Sequence, residues 1–159
     1  MKVMRAIAAM GAIAVLAFGS SASAQTTTTA ATPEQDVMAV INRMFEGFAK
    51  KDTTIIRGTL ADDVKLVSAF NNREGKPMVR AETMDKFLVG IATAPGTLDE
   101  RLFNPEVRID GNLATVWVKY EFWYDGKYSH CGFDAFQLAR GEAGWKIISI
   151  ADTRRPKCE

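Results

Sequence analysis

The stretch from Tyr128 to Asp134 gathers the chain's only histidine, one of its two cysteines and a carboxylate within five residues. The surrounding pattern is typical of a β-strand, in which successive side chains lie on opposite faces of the sheet. His130 and Asp134 therefore share one face, and Cys131 lies on the other. A histidine and a carboxylate on one face are the groups that acid–base chemistry uses, so this strand is the first candidate for a site.

His130 and Asp134 cannot contact each other directly. They are four residues apart, which is roughly 13 Å along an extended strand at about 3.3 Å per residue. Each therefore needs a partner from a neighbouring strand. Glu121 is the candidate partner for His130, and Asp152 or Arg154 is the candidate partner for Asp134.

The chemistry expected of such a site is proton transfer beside a developing oxyanion. His130 is the natural base, Asp134 supports it, and Tyr120 or Tyr128 could donate a hydrogen bond to the oxyanion. The alternative is a structural role for both residues, because a lone histidine on a strand is more often a satisfied structural or surface residue than a catalyst.

The strand register decides which side chains join this face. Asp125-Gly126 is typical of a two-residue hairpin turn, and it would set His130 opposite Glu121 and Asp134 opposite Trp117. The resulting face contains Trp117, Lys119, Glu121, Trp123, His130 and Asp134. A one-residue slip flips every side chain, so a loop longer by one residue would select another set. That set is Val118, Tyr120 and Phe122.

The two cysteines, Cys131 and Cys158, suggest one intramolecular disulfide. It would tie the C-terminal tail to the His130 strand and contribute about 3 to 4 kcal/mol by loop closure. The alternative is two unrelated thiols. No metal site is expected, because His130, Cys131 and Asp134 lie on alternate faces and there is no second histidine. No phosphate-binding glycine loop occurs either, so no cofactor is expected.

The N-terminal residues are typical of an export signal. Lys2 and Arg5 precede an apolar run from Ala6 to Phe18, and small residues end at Ala24. The run has 13 residues, whereas a bilayer-spanning helix needs about 20. We expect cleavage between Ala24 and Gln25, a periplasmic or secreted product, and no membrane attachment after cleavage.

The charge balance argues against anionic partners. Without Lys2 and Arg5, the 20 basic side chains become 18, against 19 acidic ones. A chain with this balance has no electrostatic footprint for nucleic acid or for an anionic membrane. We expect neither partner.

The elements that must position these residues begin after a flexible leader, residues 25–32. Thr32-Pro33-Glu34-Gln35 is a helix-capping box, and the apolar residues that follow recur at helical spacing. A short helix from Asp52, a strand from Val64 to Phe70, a polar loop from Asn71 to Pro77 and a helix over about 80–93 come next.

From Leu102 onward the period changes from helical to alternating. We predict strands up to Asp110-Gly111, from Leu113 to Tyr124, through His130 to about Ala139, and over 145–150. Helices followed by a meander of strands favour one α+β domain, residues 33–159, with an antiparallel sheet covered on one side.

This order of elements resembles the NTF2-like superfamily, which includes the SnoaL-like cyclases. Asp125-Gly126-Lys127, the His130-Cys131-Gly132 strand, Gly144-Trp145-Lys146-Ile147 and Asp152-Thr153-Arg154-Arg155 are similar to its exported bacterial branch, which is labelled lumazine-binding. The resemblance covers nearly all of residues 33–159. It implies an α+β cone in which N-terminal helices pack in a strongly curved antiparallel sheet, a pocket at the open end, and a homodimer.

Three function classes follow, because this fold serves several. The first is binding of a small, partly apolar molecule in the cone, with Trp117, Tyr120, Glu121, Tyr128, Asp152 and Arg154 as ligand contacts. The second is a cofactor-independent lyase or isomerase, similar to SnoaL or ketosteroid isomerase, that uses His130 and Asp134. The third is a structural or protein-interaction module.

Overall fold

Three helices and six strands follow one another in residues 30–158, the part of the chain that this computed structural model describes. The elements are α1 (Pro33–Lys50), α2 (Thr53–Thr59), β1 (Leu60–Asn71), β2 (Pro77–Glu82), α3 (Met84–Thr93), β3 (Leu98–Asp110), β4 (Leu113–Tyr124), β5 (Lys127–Gly141) and β6 (Gly144–Arg154). The predicted signal segment, its cleavage site and residues 25–29 of the predicted leader lie outside the described residues.

The first helix begins where its capping box predicts. The Thr32 hydroxyl accepts from the Gln35 backbone N–H, the Gln35 side chain accepts from the Thr32 N–H, and Pro33 occupies the first turn. The helix ends at Lys50 and is capped by Lys51, whose φ of 55° is left-handed. Its apolar stripe, including Val37, Ile41 and Met44, is buried.

The six strands form one sheet, on which the helices pack, and the strand order is β2-β1-β6-β5-β4-β3. Four neighbouring pairs are antiparallel, as the meander predicts. The β1–β6 pair is parallel, so the sheet is mixed and the predicted antiparallel pairing does not extend to this pair. The last strand inserts between the β5 and β1 strands, and long-range pairing of this kind leaves no local sequence signal.

Several element boundaries differ from the predicted ones. The β2 strand falls across a predicted loop and helix start, because it is an almost wholly exposed edge strand without alternating burial. Helix α3 begins at Met84, where Thr83 caps it, instead of near residue 80. The β1 and β3 strands start earlier than predicted, at Leu60 and Leu98.

The core lies between the helices and the inner face of the curved sheet. Helix α1 packs on β3 and β6, and inward-facing residues of the central strands, such as Val116, Val118 and Leu138, are almost fully buried against it. Register shifts within four of the strand pairings bend the sheet around the helices. Among the described residues, no helix is long and apolar enough to cross a membrane.

Candidate functional site

A pocket of about 200 Å³ lies between the helices and the inner face of the sheet. One wall is apolar, and α1, α3 and the middle strands supply it: Met44, Phe45, Phe48, Phe87, Phe122 and Phe136. The other wall is polar, and every strand from β3 to β6 contributes to it together with β1: Ser68, Glu100, Tyr120, His130, Asp134, Asp152 and Arg154. The two walls together suit a molecule with an apolar part and a polar part.

Aromatic contacts hold the apolar wall in place. Phe48 stands edge-on to Phe122 at 6.0 Å and stacks near Phe87 at 6.3 Å between ring centroids. Phe45 stands edge-on to Phe136 at 6.2 Å. Because these residues lie on one stripe of α1 and on the inner faces of β4 and β5, the rings tie helix and sheet together around the pocket.

A bulge between β4 and β5 sets which residues face the pocket. Tyr124 pairs with Lys127 across the predicted two-residue turn, but Ser129 is an extra residue, so His130 pairs with Phe122. Asp134 consequently pairs with Val118, not with Trp117. The preferred register is therefore wrong beyond the turn, and the alternative set of neighbours is the one observed, through a bulge in place of a longer loop.

This register moves three expected ligand contacts to the outer face. Trp117 is 45% exposed and stacks on Phe133 at 5.1 Å. Glu121 pairs with Cys131 in the sheet and accepts from Trp123 Nε1 at 3.2 Å. Tyr128 is 40% exposed. Trp117, Glu121 and Tyr128 do not line the pocket, because the extra residue reverses the faces relative to His130.

The remaining expected site residues come together in the pocket. Tyr120, His130, Asp134, Asp152 and Arg154 all line it. Asp152 lies directly across the β5–β6 pair from Asp134, and its charge acts on Asp134 without a hydrogen bond between the two.

Glu100 and Asp134 form a carboxyl pair that shares a hydrogen bond. Asp134 is 4% exposed, and its Oδ2 atom has no hydrogen-bond partner within residues 30–158. Burial raises the pKa of Asp134 well above its usual range, and the Glu100 and Asp152 charges raise it further. Burial of its carboxyl group also raises the pKa of Glu100 to about 8, although the whole residue is only half-buried. The pair therefore holds at least one proton at neutral pH.

The neighbours of this pair are held by hydrogen bonds. Ser68 pairs with Asp152 in the parallel β1–β6 ladder, and its hydroxyl donates to the Asp152 carboxylate. The Tyr120 hydroxyl donates to the Thr153 carbonyl oxygen at 2.9 Å. Burial, followed by the Asp152 charge, raises the pKa of Tyr120. Tyr120 is therefore a neutral donor whose proton is already engaged with the backbone.

His130 is a neutral imidazole in this setting. Burial, followed by the charge of Arg154, lowers its pKa to about 4. The ring lies 5.0 Å from Phe122 and 5.8 Å from Tyr120 between centroids, and its Nδ1 is 3.1 Å from the Ser129 hydroxyl. A pKa this low argues against His130 as the base of the site, and it follows from burial of the ring and from the nearby Arg154 charge.

A disulfide and backbone hydrogen bonds attach the residues that follow β6 to β5. Cys131 is bonded to Cys158, and its backbone exchanges two hydrogen bonds with Arg155, at 3.0 and 2.8 Å. On the pocket-facing side of the same strand, Gly132 lets the Thr153 carbonyl approach so closely that any Cβ at this position would clash with it. The end of β6, which carries Asp152 and Arg154, is positioned by these contacts.

Glu100 is the main pocket residue that the sequence analysis missed. It lies on β3 between Leu98, which is buried, and Leu102, which is half-buried. A strand that begins at Leu98 would predict an inward-facing Glu100 by this alternation, whereas the predicted strand began only at Leu102. Ser68 was missed for another reason, since only the long-range β1–β6 pairing brings it to Asp152.

A metal centre is not supported in the part of the chain that the structure describes. No group of three or more histidine, cysteine, aspartate or glutamate side chains there is arranged to hold a metal ion. The carboxyl groups of the pocket are instead held as hydrogen-bonded partners of each other and of Ser68.

Comparison with known proteins identifies the fold. No protein-family model and no curated protein matches the sequence. Among solved structures, an NTF2-like protein from Cytophaga hutchinsonii has a TM-score of 0.63 at 13% identity, covering 79% of this chain and 100% of that one. An NTF2-like protein of unknown function from Shewanella baltica has a TM-score of 0.58 at 16% identity, covering 80% and 100%.

A third similar structure is a hub domain, which is a different kind of protein. The CaMKII hub from S. rosetta has a TM-score of 0.63 at 14% identity, covering 79% of this chain and 99% of the hub. Likeness at this level of identity describes the fold alone. On these similarities, and on its helices wrapped by a curved six-stranded sheet, the chain has the NTF2-like fold.

Proposed function

We propose that this protein binds a small, partly apolar molecule in the pocket between its helices and its sheet. The observation that carries the proposal is the division of one 200 Å³ pocket into an aromatic wall and a wall of carboxyl groups. A buried Asp134 oxygen without a protein partner on the polar wall supports it further, since such an atom costs free energy until it is hydrogen-bonded.

A native mass spectrum of the protein purified from its own host tests this proposal. We expect a retained small molecule that dissociates on unfolding. Ser68→Phe, which directs a ring into the pocket from β1, should abolish retention. Ala69→Phe is the matched control, because Ala69 is the next residue, is exposed and lies on the opposite face. Equal retention by both variants would contradict binding in this pocket.

A second candidate function is a cofactor-independent lyase or isomerase. The specific observation in its favour is the raised pKa of Asp134, because a buried carboxylic acid that stays protonated at neutral pH can donate to a developing oxyanion. The candidate base is Asp152, a pocket carboxyl group that lies directly across the β5–β6 pair from Asp134, and we assign the proton transfer to it in place of His130.

Deuterium incorporation separates the two candidates. If the protein is such an enzyme, incubation of the retained molecule with protein in D2O should place deuterium on carbon, and Asp152→Asn should stop the exchange. His130→Gln should leave the exchange intact. Absence of deuterium on carbon with the unaltered protein would reject the enzymatic reading and leave the binding reading in place.

We also propose that the protein is exported and that it forms a homodimer. Export rests on the pattern of residues 1–24, and N-terminal sequencing of the exported protein should begin at Gln25. The homodimer rests on the family resemblance and on the outer sheet face, where Trp117, which is 45% exposed, and its stacked, half-buried neighbour Phe133 form an aromatic patch.

A further inference from the structure

The polar wall of the pocket contains more carboxyl groups than positive ones. Glu100, Asp134 and Asp152 line it, whereas Arg154 is the one guanidinium among the described lining residues. Glu82 also lines the pocket, but Lys86 lies 3.6 Å from its carboxylate and offsets its charge. The helices contribute only apolar side chains there, so no cation from α1 or α3 balances the three carboxyl groups.

Apart from the proton that Glu100 and Asp134 share, no side-chain donor of the described residues is directed at the buried end of this wall. Asp134 is almost fully buried, yet its Oδ2 atom has no hydrogen-bond partner within residues 30–158. The two hydroxyl groups among the described lining residues are committed elsewhere, because Tyr120 donates to Thr153 and Ser68 donates to Asp152. A ligand with N–H donors would satisfy this oxygen, and a positively charged one would also offset the carboxyl groups.

The apolar wall limits the size of that ligand. A dry cavity of about 150 Å³ holds one benzene molecule. The 200 Å³ here is therefore enough for one ring and a head of a few atoms. The wall consists largely of phenylalanine rings from α1, α3, β4 and β5, which pack well against an apolar ring and attract a cation held over their faces.

We propose that the pocket is selective for a small organic cation, an apolar body of about one ring that carries a positively charged nitrogen head with N–H donors directed at Asp134, Glu100 and Asp152. This inference rests on the proposed ligand-binding function and deepens it. The raised pKa values of Glu100 and Asp134 support it, because a proton held by this pair occupies the position that the cationic head would take.

Binding should accordingly release a proton. The titratable and charged groups that face the pair are Glu82 from β2, Tyr120 from β4, His130 from its own strand β5, and Asp152 and Arg154 from β6. Below the pKa of the pair, the apparent affinity of a ligand whose own charge is constant should rise with pH. Release of one proton limits this rise to about tenfold for each pH unit.

Three nearly isosteric probes test the proposal. Benzamidinium is a cation with N–H donors, benzamide is its neutral counterpart, and benzoate is its anionic counterpart. Dissociation constants are measured by NMR titration of the untagged protein at pH 6, 7 and 8. We expect benzamidinium to bind about tenfold more tightly than benzamide at pH 8, because its hydrogen bonds are charge-assisted. Benzoate should bind most weakly, and only benzamidinium should gain affinity as the pH rises.

Matched variants locate the effect. Asp134→Asn and Glu100→Gln keep the shape of the pocket and should each reduce benzamidinium binding to the level of benzamide. Asp99→Asn is the control, because Asp99 lies beside Glu100 on β3 but pairs with Arg101 at 2.8 Å and does not line the pocket. It should leave all three dissociation constants unchanged.

Two results would overturn the proposal. If benzamide or benzoate binds as tightly as benzamidinium, the pocket is not selective for cations, although its ligand-binding function stands. If none of the three probes binds, the ligand class is wrong, and the native mass spectrum with Ser68→Phe decides the binding function separately.

Discussion

His130 is the chain's only histidine, and it lies in the pocket wall between aromatic rings. Its pKa of about 4 in the folded protein compares with about 6.5 for an exposed imidazole. We therefore expect the single imidazole signal in a proton NMR spectrum of untagged, folded protein to titrate near pH 4. A midpoint above pH 6 would contradict the buried, neutral ring.

The same shift makes the fold sensitive to acid. The unfolded chain binds a proton at His130 before the folded protein does, so the free energy of unfolding decreases as the pH falls from about 6.5 toward 4. His130→Gln should lose less stability over that range than the unaltered protein. Urea denaturation at pH 4.5 and pH 7 measures the difference, and the two proteins should differ at the lower pH only.

Protonation of Asp134 affects the stability of the fold in the direction opposite to protonation of His130. Its pKa and that of Glu100 are raised in the folded state, so the folded protein binds protons more tightly than the unfolded chain and its stability falls as the pH rises. The fall begins above about pH 4 and continues through the Glu100 pKa of about 8.

We expect Asp134→Asn to reduce this dependence on pH. The amide can donate to Glu100 and cannot ionise, so at pH 8 the variant should be more stable than the unaltered protein by about 1 to 3 kcal/mol. Urea denaturation at pH 5, 6.5 and 8 checks it, with Asp99→Asn as the control. If the free energy of unfolding of the variant changed with pH between 5 and 8 as much as that of the unaltered protein, Asp134 would not be held protonated.

At the level of elements, the contact between β5 and β6 depends on the missing side chain of Gly132. A Cβ there would clash with the Thr153 carbonyl oxygen, which is also the acceptor for Tyr120. Gly132→Ala should therefore displace the end of β6 and lower the free energy of unfolding by about 3 kcal/mol or more.

Gly90→Ala is the matched control for that change. Gly90 is exposed in α3, and a Cβ there would meet nothing within 4 Å. Because alanine has a higher helix propensity than glycine, this variant should have a free energy of unfolding about 0.5 to 1 kcal/mol larger than that of the unaltered protein. If both variants kept the stability of the unaltered protein, the close approach of the two strands would not matter.

At the level of the whole molecule, the disulfide joins the C-terminal tail to the centre of the sheet. It closes a separation of 27 residues between Cys131, which is fully buried, and Cys158. Cys158→Ser should lower the free energy of unfolding by about 3 to 4 kcal/mol through the entropy of the unfolded chain. Reduced, unaltered protein should match the variant, and a variant as stable as the oxidised protein would contradict this.

The homodimer proposal belongs to the same scale. If the aromatic patch of Trp117 and Phe133 forms the interface, Trp117→Lys should weaken dimer association by at least about 2 kcal/mol, or roughly thirtyfold. Val89→Lys is the control, because Val89 is 62% exposed but lies on α3, away from this face. Sedimentation equilibrium measures both variants, and equal weakening by the two would exclude the patch.

The amino-acid sequence by itself determined the features that depend on local periodicity. The capping box at Thr32 predicts the start of α1, alternation places His130 and Asp134 on one face, and two cysteines predict the bond that the structure contains. These follow from neighbours a few residues apart, because side-chain direction repeats with the period of the helix or strand.

The tertiary structure alone decided how the pocket is assembled. The bulge at Ser129 selects Tyr120 over Trp117, the parallel β1–β6 pair brings Ser68 to Asp152, and Glu100 reaches Asp134 from β3. Each depends on pairing between residues far apart in the chain, where a shift of one residue reverses every face. The protonation of the carboxyl pair follows in turn from burial and from like charges that only the folded chain brings together.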